Sequence, residues 1–343
     1  YKLPSAVTVL IGAAYILYPA LSGGCLYDLH ENCFLSLTLL FIIWAVETGH
    51  TKTAVVFAVA TWCIKEDAGI QTAFLGLYFL ASGKHKKEGS LLFLFSCAAF
   101  FITTSLVAES GYEVMSQRFS NLVTSDSKDL LSVVTSAFTH AAYFFSECIT
   151  GEKILYLALM LMPFAMVIFA KKDPTSFILM GPMILLNVLP DYAYMYTINY
   201  QYNFGNAALL FYFFILAICD ANARSMLKAA SAAAAVYLVL FCGTKLSRLS
   251  VVSDYFDDRA KYETMENAIE SIPKDASVTA STYLVAHLYE HERLYPTSSR
   301  IYSDYLVLDL TRDTTEAEQT MLDSGKYEIW TTCEGSLAIY ELK

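Results

Sequence analysis

Charge is scarce over the first 247 residues of this 343-residue chain, where 14 basic and 15 acidic side chains are thinly spread. Soluble domains carry roughly a quarter of their residues charged, so an ordinary water-facing surface is excluded for that stretch. Cysteine motifs are missing as well. The eight cysteines stand apart at 25, 33, 63, 97, 148, 219, 242 and 333, with no CxxC pair and no His/Cys cluster at zinc spacing. They read as small hydrophobes within apolar helices, with Cys25–Cys33 as a possible disulfide. No glycine-rich phosphate loop, GxSxG or HExxH occurs. No basic leader with a cleavage site is visible. The chain opens on Tyr1 rather than Met, so its natural start is expected upstream. Surplus Lys and Arg are also absent: the formal net charge is −10. That argues against nucleic acid as a partner, since phosphate backbones require cations.

What is present is apolar bulk, 56% of the residues, including 22 Phe and 24 Tyr. The remaining charge collects at the end, with 9 basic and 18 acidic residues in 248–343. The expected fold is mainly α. A polytopic transmembrane helical bundle occupies 1–248, and a small soluble α/β domain occupies 249–343. Nine apolar runs have the character of spans: 4–22, 33–47, 53–64, 68–82, 91–108, 154–170, 175–189, 204–221 and 229–246. The third and fourth are short and flank Lys65-Glu66-Asp67, so they can form a broken pair. The amphipathic run 129–149, with His140 and Glu147, reads as an interfacial or re-entrant helix.

The loops alternate in charge. Lys2, Lys52, Lys84, Lys86, Lys87, Lys171, Lys172, Arg224 and Lys228 fall on one side. The opposite short loops, 23–32 and 190–203, hold no Lys or Arg. Positive loops mark the cytoplasm, so the expectation is a multi-pass protein of the plasma membrane with its C-terminal domain extracytoplasmic. In that domain, strands are expected at 277–280, 305–310, 327–332 and 337–342, the last two as a hairpin. Helices are expected at 282–290 and 316–324, the latter capped by Thr314 or Thr315. His287 and His291 would share a face of the first helix.

The unusual polar residues fall in the loops of the positive-poor side. Asp28, His30 and Glu31 bring three titratable groups together, which suits divalent-metal binding or acid–base work and equally a solvated loop. Lys65, Glu66 and Asp67 lie between apolar runs with little room for a wet loop. There Lys65 can neutralise a carboxylate or pair a phosphate while Glu66 or Asp67 acts as base; a self-neutralising helix-end cluster is the plain reading. Asp191, Tyr200, Gln201 and Tyr202 offer a carboxylate, aromatic faces and an amide, suited to sugar binding and equally to an interfacial aromatic belt. Ionisable groups at membrane depth face a cavity, pair together, or serve function.

These residues also carry a resemblance. Tyr18-Pro19 followed by Asp28-x-His30-Glu31, then Lys65-Glu66-Asp67 with Gly76-Leu77-Tyr78, then Gln201-Tyr202 and the segment Ile272-Pro273-Lys274-Asp275-Ala276-Ser277-Val278 resemble a bacterial and archaeal family of membrane proteins, domain of unknown function 2079. Its architecture is similar to the GT-C-fold glycosyltransferases. The resemblance implies sugar transfer from a polyprenyl-phosphate donor at the outer membrane face to an unidentified acceptor. In that reading Glu66, Asp67, His30 and Glu31 are catalytic. Lys65, Asp28, Asp191, Tyr200, Gln201 and Tyr202 bind substrate. Asp28, His30 and Glu66 are the candidate ligands of a divalent cation, Mg or Mn. A further catalytic acid would lie upstream of Tyr1. The alternatives are a transporter or lipid-carrier flippase, or a membrane anchor displaying an acidic binding domain. Convergence of carboxylates 28, 31, 66 and 67 in one pocket would favour the enzyme; a polar path reaching both faces would favour transport.

Overall fold

A computed structural model describes residues 3–27, 29–109, 118–122, 130–169, 171–220, 225–241, 243, 250–333 and 335–343. Tyr1, Lys2, Asp28, Arg224 and Cys242, all used in the sequence reading, lie outside the described residues. The chain divides into two compact units, Tyr1–Arg248 and Leu249–Lys343.

The first unit is helical. Its elements are α1 (Ser5–Leu17), α2 (Pro19–Cys25), α3 (Cys33–Glu47), α4 (Thr51–Trp62), α5 (Ala68–Ala81), α6 (Lys86–Glu109), α7 (Leu130–Thr139), α8 (Ala141–Cys148), α9 (Gly151–Leu161), α10 (Phe204–Asp220) and α11 (Ser225–Phe241). Helix α10 is apolar all round and buried along nearly its whole length, so it forms the centre of this unit. Helix α6 is the opposite case. Among its residues only Gly89 and Ser96 are buried, and Leu94, Phe95, Phe101, Ile102 and Leu106 are exposed. An apolar helix with so little protein cover is built to face lipid. Glycine lets it approach α5 closely: a Cβ on Gly76 would stand 2.6 Å from the Phe93 nitrogen, and one on Gly89 would stand 2.5 Å from the Leu80 nitrogen.

Among the described residues, two helical stretches are long and apolar enough to cross a bilayer, Lys86–Glu109 and Gln201–Asp220. The pair α1 and α2, bent by 46° at Tyr18–Pro19, makes a third if read as one span. The nine expected spans are therefore not matched by nine long apolar helices. Several runs form shorter helices instead, including α3, α5 and Pro174–Val188. The last is not a uniform α-helix. It passes through a 3-10 stretch, one α turn and a π turn. Pro174 and Pro182 remove backbone donors there, and Gly181 sits against the Phe74 ring. The expected amphipathic helix 129–149 breaks at His140 into α7 and α8.

The second unit is α/β. Helices α12 (Ser250–Asp257), α13 (Arg259–Glu270) and α14 (Glu316–Asp323) accompany strands β1 (Val278–Ala280), β2 (Leu294–Pro296), β3 (Tyr305–Asp309), β4 (Tyr327–Cys333) and β5 (Leu337–Leu342). The sheet order is β2-β1-β3-β5-β4. Strand β1 runs parallel to β2 and β3, and β5 is antiparallel to β3 and β4. Strand β3 is buried on both faces: Tyr305 and Val307 join one apolar cluster, Leu306 and Leu308 the other. Helix α14 begins with a capping box in which Thr315 and Glu318 satisfy each other's backbone donors. The expected helix 282–290 is a single 3-10 turn, Val285–Leu288. Leu284 and Leu288 imitate a helical stripe, but the chain must reach β2 by residue 294. His287 lies 3.2 Å from Glu266, whereas His291 is buried with a ring nitrogen 3.3 Å from the Ala276 carbonyl.

Candidate functional site

Two polar ends frame the helical unit. At one end the Tyr212 hydroxyl donates to Glu47, the His85 Nε2 lies 3.7 Å from the same carboxylate, and Lys171 pairs with Asp220. The other end gathers the loops before α3, between α4 and α5, and before α10. The turn 63–67 is too short to reach bulk water freely, and Asp67 starts α5 on its buried face. Lys65 Nζ therefore meets Asp67 Oδ2 at 3.3 Å, with only 8% and 6% of those side chains exposed. Lys65 also lies 4.7 Å from the Tyr202 ring centroid. Gln71, one turn further along α5, packs directly on Gly205 of α10, where a Cβ would come within 1.9 Å of its Oε1.

Lys65, Asp67, Gln71, Asn32, Gln201 and Tyr202 line one narrow pocket together with Asn187. Its interior of about 10 Å³ admits one water-sized group. Asn187 is fixed at its rear: its amide donates to the Met195 carbonyl at 2.6 Å, and its oxygen accepts from Asn206 at 2.8 Å. Arg118 approaches from another side, 5.5 Å from the Tyr202 ring and 5.3 Å from Tyr192. Tyr202 thus has two cations about its ring, while one carboxylate, Asp67, pairs with one of them.

Unpaired groups state what this pocket would accept. Among the described residues, the buried side-chain oxygens of Asn32, Gln71 and Gln201, which line the pocket, have no donor; behind Tyr202, outside the lining, the buried Arg118 Nη1 has no acceptor. Buried polar groups are ordinarily satisfied. Hydroxyl donors would meet the first deficit, and an anionic oxygen beside Tyr202 the second.

The sequence-expected residues divide. Lys65, Asp67, Gln201 and Tyr202 come together in the pocket. His30 and Glu31 pair with each other at 2.9 Å and adjoin the pocket through Asn32, whose backbone amide faces His30 Nδ1 at 3.4 Å. Glu66 is half-buried and does not line the pocket; its backbone carbonyl accepts from Thr103. Asp191 is exposed, accepting from the Tyr196 hydroxyl at 3.3 Å. Tyr200 lies against Tyr27 and Tyr194 instead. Asp28, expected both as a substrate and as a metal residue, lies outside the described residues. No group of three His, Cys, Asp or Glu side chains placed to hold a metal occurs among the described residues. Sequence reading singles out Asn187 among the unusual polar residues of 187–203 without giving it a role, and it missed Asn32, Gln71, Asn206 and Arg118. Gln71 was findable, four residues past Asp67 on one helix face. Asn206 was findable as a lone amide in an apolar run. Arg118, in a long loop, carried no signal.

A family model described as predicted membrane protein (DUF2079) matches residues 2–334. No curated protein and no solved structure matches the chain.

Proposed function

The chain belongs to the DUF2079 family of predicted membrane proteins, and on that premise we propose that it is a multi-pass enzyme that transfers a sugar from a polyprenyl-phosphate carrier. One observation carries the reading: two cations, Lys65 and Arg118, face one half-buried tyrosine ring, Tyr202, while a single carboxylate, Asp67, pairs with Lys65 alone. A surplus positive charge in a dry site favours an anion. The pocket admits one oxygen-sized group, so a phosphate oxygen enters and the sugar stays at the mouth, near His30 and Glu31. In the reaction the bond from the anomeric carbon to the phosphate oxygen breaks, and the phosphate keeps the electron pair. Lys65 and Arg118 hold that developing charge. The acceptor hydroxyl forms the new bond at the pocket mouth and loses its proton to the His30–Glu31 pair there, while Asp67 holds Lys65 in place. Glu66 flanks this step as a further proposed acid–base partner, with any divalent cation held there rather than between Lys65 and Asp67.

The clustered cations Lys84, Lys86, Lys87, Lys171 and Lys172 put the Glu47–His85 end in the cytoplasm under the charge rule. The Lys65 pocket then faces outward at the plasma membrane, and an extracytoplasmic C-terminal unit is proposed from the sequence on its own account. The architecture proposed is GT-C-like, with the shorter apolar helices completing the bundle.

Transport is the second reading. The bend at Tyr18–Pro19 and the π turn at Ile184–Val188 favour it, since transporters break helices at their sites. Against it, fully buried Leu39, Leu75 and Leu209 stand between the two polar ends on α3, α5 and α10.

The test uses the full chain in lipid nanodiscs with a radiolabelled polyprenyl-phosphate sugar. Release of the sugar from the lipid is expected, falling about 100-fold in His30→Ala. Lys65→Gln and Arg118→Gln are expected to need at least ten times more donor for the same rate. Equal turnover by wild type and all three variants would remove this assignment.

A further inference from the structure

The segment 189–203 has two sides. Gln201 and Tyr202 border the Lys65 pocket, whereas Tyr194, Tyr196 and Tyr200 line a separate cleft of about 490 Å³. Helix α9 forms the opposite wall with Glu152, Leu155 and Tyr156. That volume lies within the roughly 300–1,000 Å³ typical of small-molecule sites. The rings are held in place. Tyr200 meets Tyr194 at 4.4 Å and takes the edge of Tyr27 at 4.6 Å with an interplanar angle of 87°. The Tyr156 hydroxyl is used internally, donating to Asn203 at 2.8 Å, so it fixes the wall.

Charge decides the ligand class. Among the described residues no Lys or Arg lines the cleft, while Glu152 does, so an anion is disfavoured. A quaternary ammonium is the other natural guest of a tyrosine box. Lys153 argues against it, because its ammonium stands 5.3 Å from the Tyr196 ring and would repel a second cation. That ammonium is itself spent, donating to the Glu147 carbonyl at 2.8 Å. What remains is a neutral, hydroxyl-rich ligand with an apolar face: rings for stacking, and a carboxylate with Thr197 and Asn199 to meet hydroxyls.

We propose that this cleft binds a neutral saccharide. Residues 200–202 then serve both sites at once, with Tyr200 on the saccharide side and Gln201 and Tyr202 on the phosphate side. Its role as the acceptor site rests on the transfer reading above; binding itself does not.

The experiment is saturation-transfer NMR on the full chain in nanodiscs, free of sugar-based detergent, with a panel of glucose-, galactose- and mannose-containing disaccharides and with choline. At least one disaccharide is expected to be saturated and choline is not. Tyr200→Ala and Glu152→Gln are each expected to weaken that binding at least tenfold. Glu152 is exposed, so its variant reports on binding even if Tyr200→Ala fails to fold. Saturation of choline in place of sugar, no response from any disaccharide, or unchanged binding in Glu152→Gln would overturn the proposal. No lipid-linked donor is present in this assay, so failure here and failure of transfer at the Lys65 pocket are read separately.

Discussion

Lys65 and Asp67 hold each other in a setting where neither survives alone. Removing one partner of a buried pair leaves an uncompensated charge, at a cost of about 3–5 kcal/mol. Lys65→Met is therefore expected to lower the thermal midpoint sharply in nanodiscs, and Lys65→Met combined with Asp67→Leu to recover much of the loss. A midpoint unchanged by Lys65→Met would show that the pair is solvated after all. In the second unit Glu318 is the corresponding residue. Burial pushes its carboxyl up, but donors from Ser281, Thr315 and Thr297 outweigh that and hold it below its ordinary value of 4.5. Asp304 is held below 3.8 chiefly by the Ser277 hydroxyl and backbone amide. A carboxylate depressed in the folded state adds stability above its unfolded value and loses it as pH falls through the folded one. Amide protection over 277–342, taken relative to the intrinsic exchange rate at each pH, should therefore be flat near neutrality and fall below about pH 4.5. Glu318→Gln should flatten that acid limb and, by weakening charge-assisted bonds, cost about 1–3 kcal/mol at pH 7. An acid limb of full size in the variant would assign it elsewhere.

Helices α5 and α6 show how much of an element is written locally. Gly69 and Gly76 in an apolar run, with Gly89 just before another, permit close backbone approach; the far end of α6 follows from its apolar run 91–108, whereas its start at Lys86 precedes that run. Gly76→Ala would push the Phe93 backbone away and is expected to cost about 1–3 kcal/mol. The readout is faster proteolysis near residues 83–87 without loss of expression; unchanged proteolysis would mean the helices have room to spare. Gly205→Ala would displace Gln71, and should impair sugar release more than it lowers stability. Other elements were not legible. Leu284 and Leu288 suggested a helix where tertiary distance to β2 allows only a turn. Proline and a tight Gly181–Phe74 contact broke 174–188 out of regular α geometry. For the site, local charge density at 65–67 pointed to Lys65 and Asp67. The distant partners Asn187, Asn206 and Arg118 are joined only by the fold, which no spacing rule in the chain encodes.

The whole chain is a family-defined membrane protein with a helical unit, polar at two ends, and an α/β unit whose sheet is covered on both faces at β3. The two polar ends predict sidedness. A cysteine placed at exposed position 84 should be labelled only from the cytoplasm, and one at position 292 only from outside; the reverse pattern would invert the arrangement. The account depends most on the Lys65 pocket recognising phosphate rather than the lipid chain that carries it. The direct measurement is binding of polyprenyl phosphate against the matching polyprenyl alcohol to the full chain in nanodiscs, for wild type and for Arg118→Gln. The phosphate is expected to bind at least tenfold more tightly than the alcohol, with that preference lost in the variant. Equal binding of the two lipids by the wild-type protein would contradict the account.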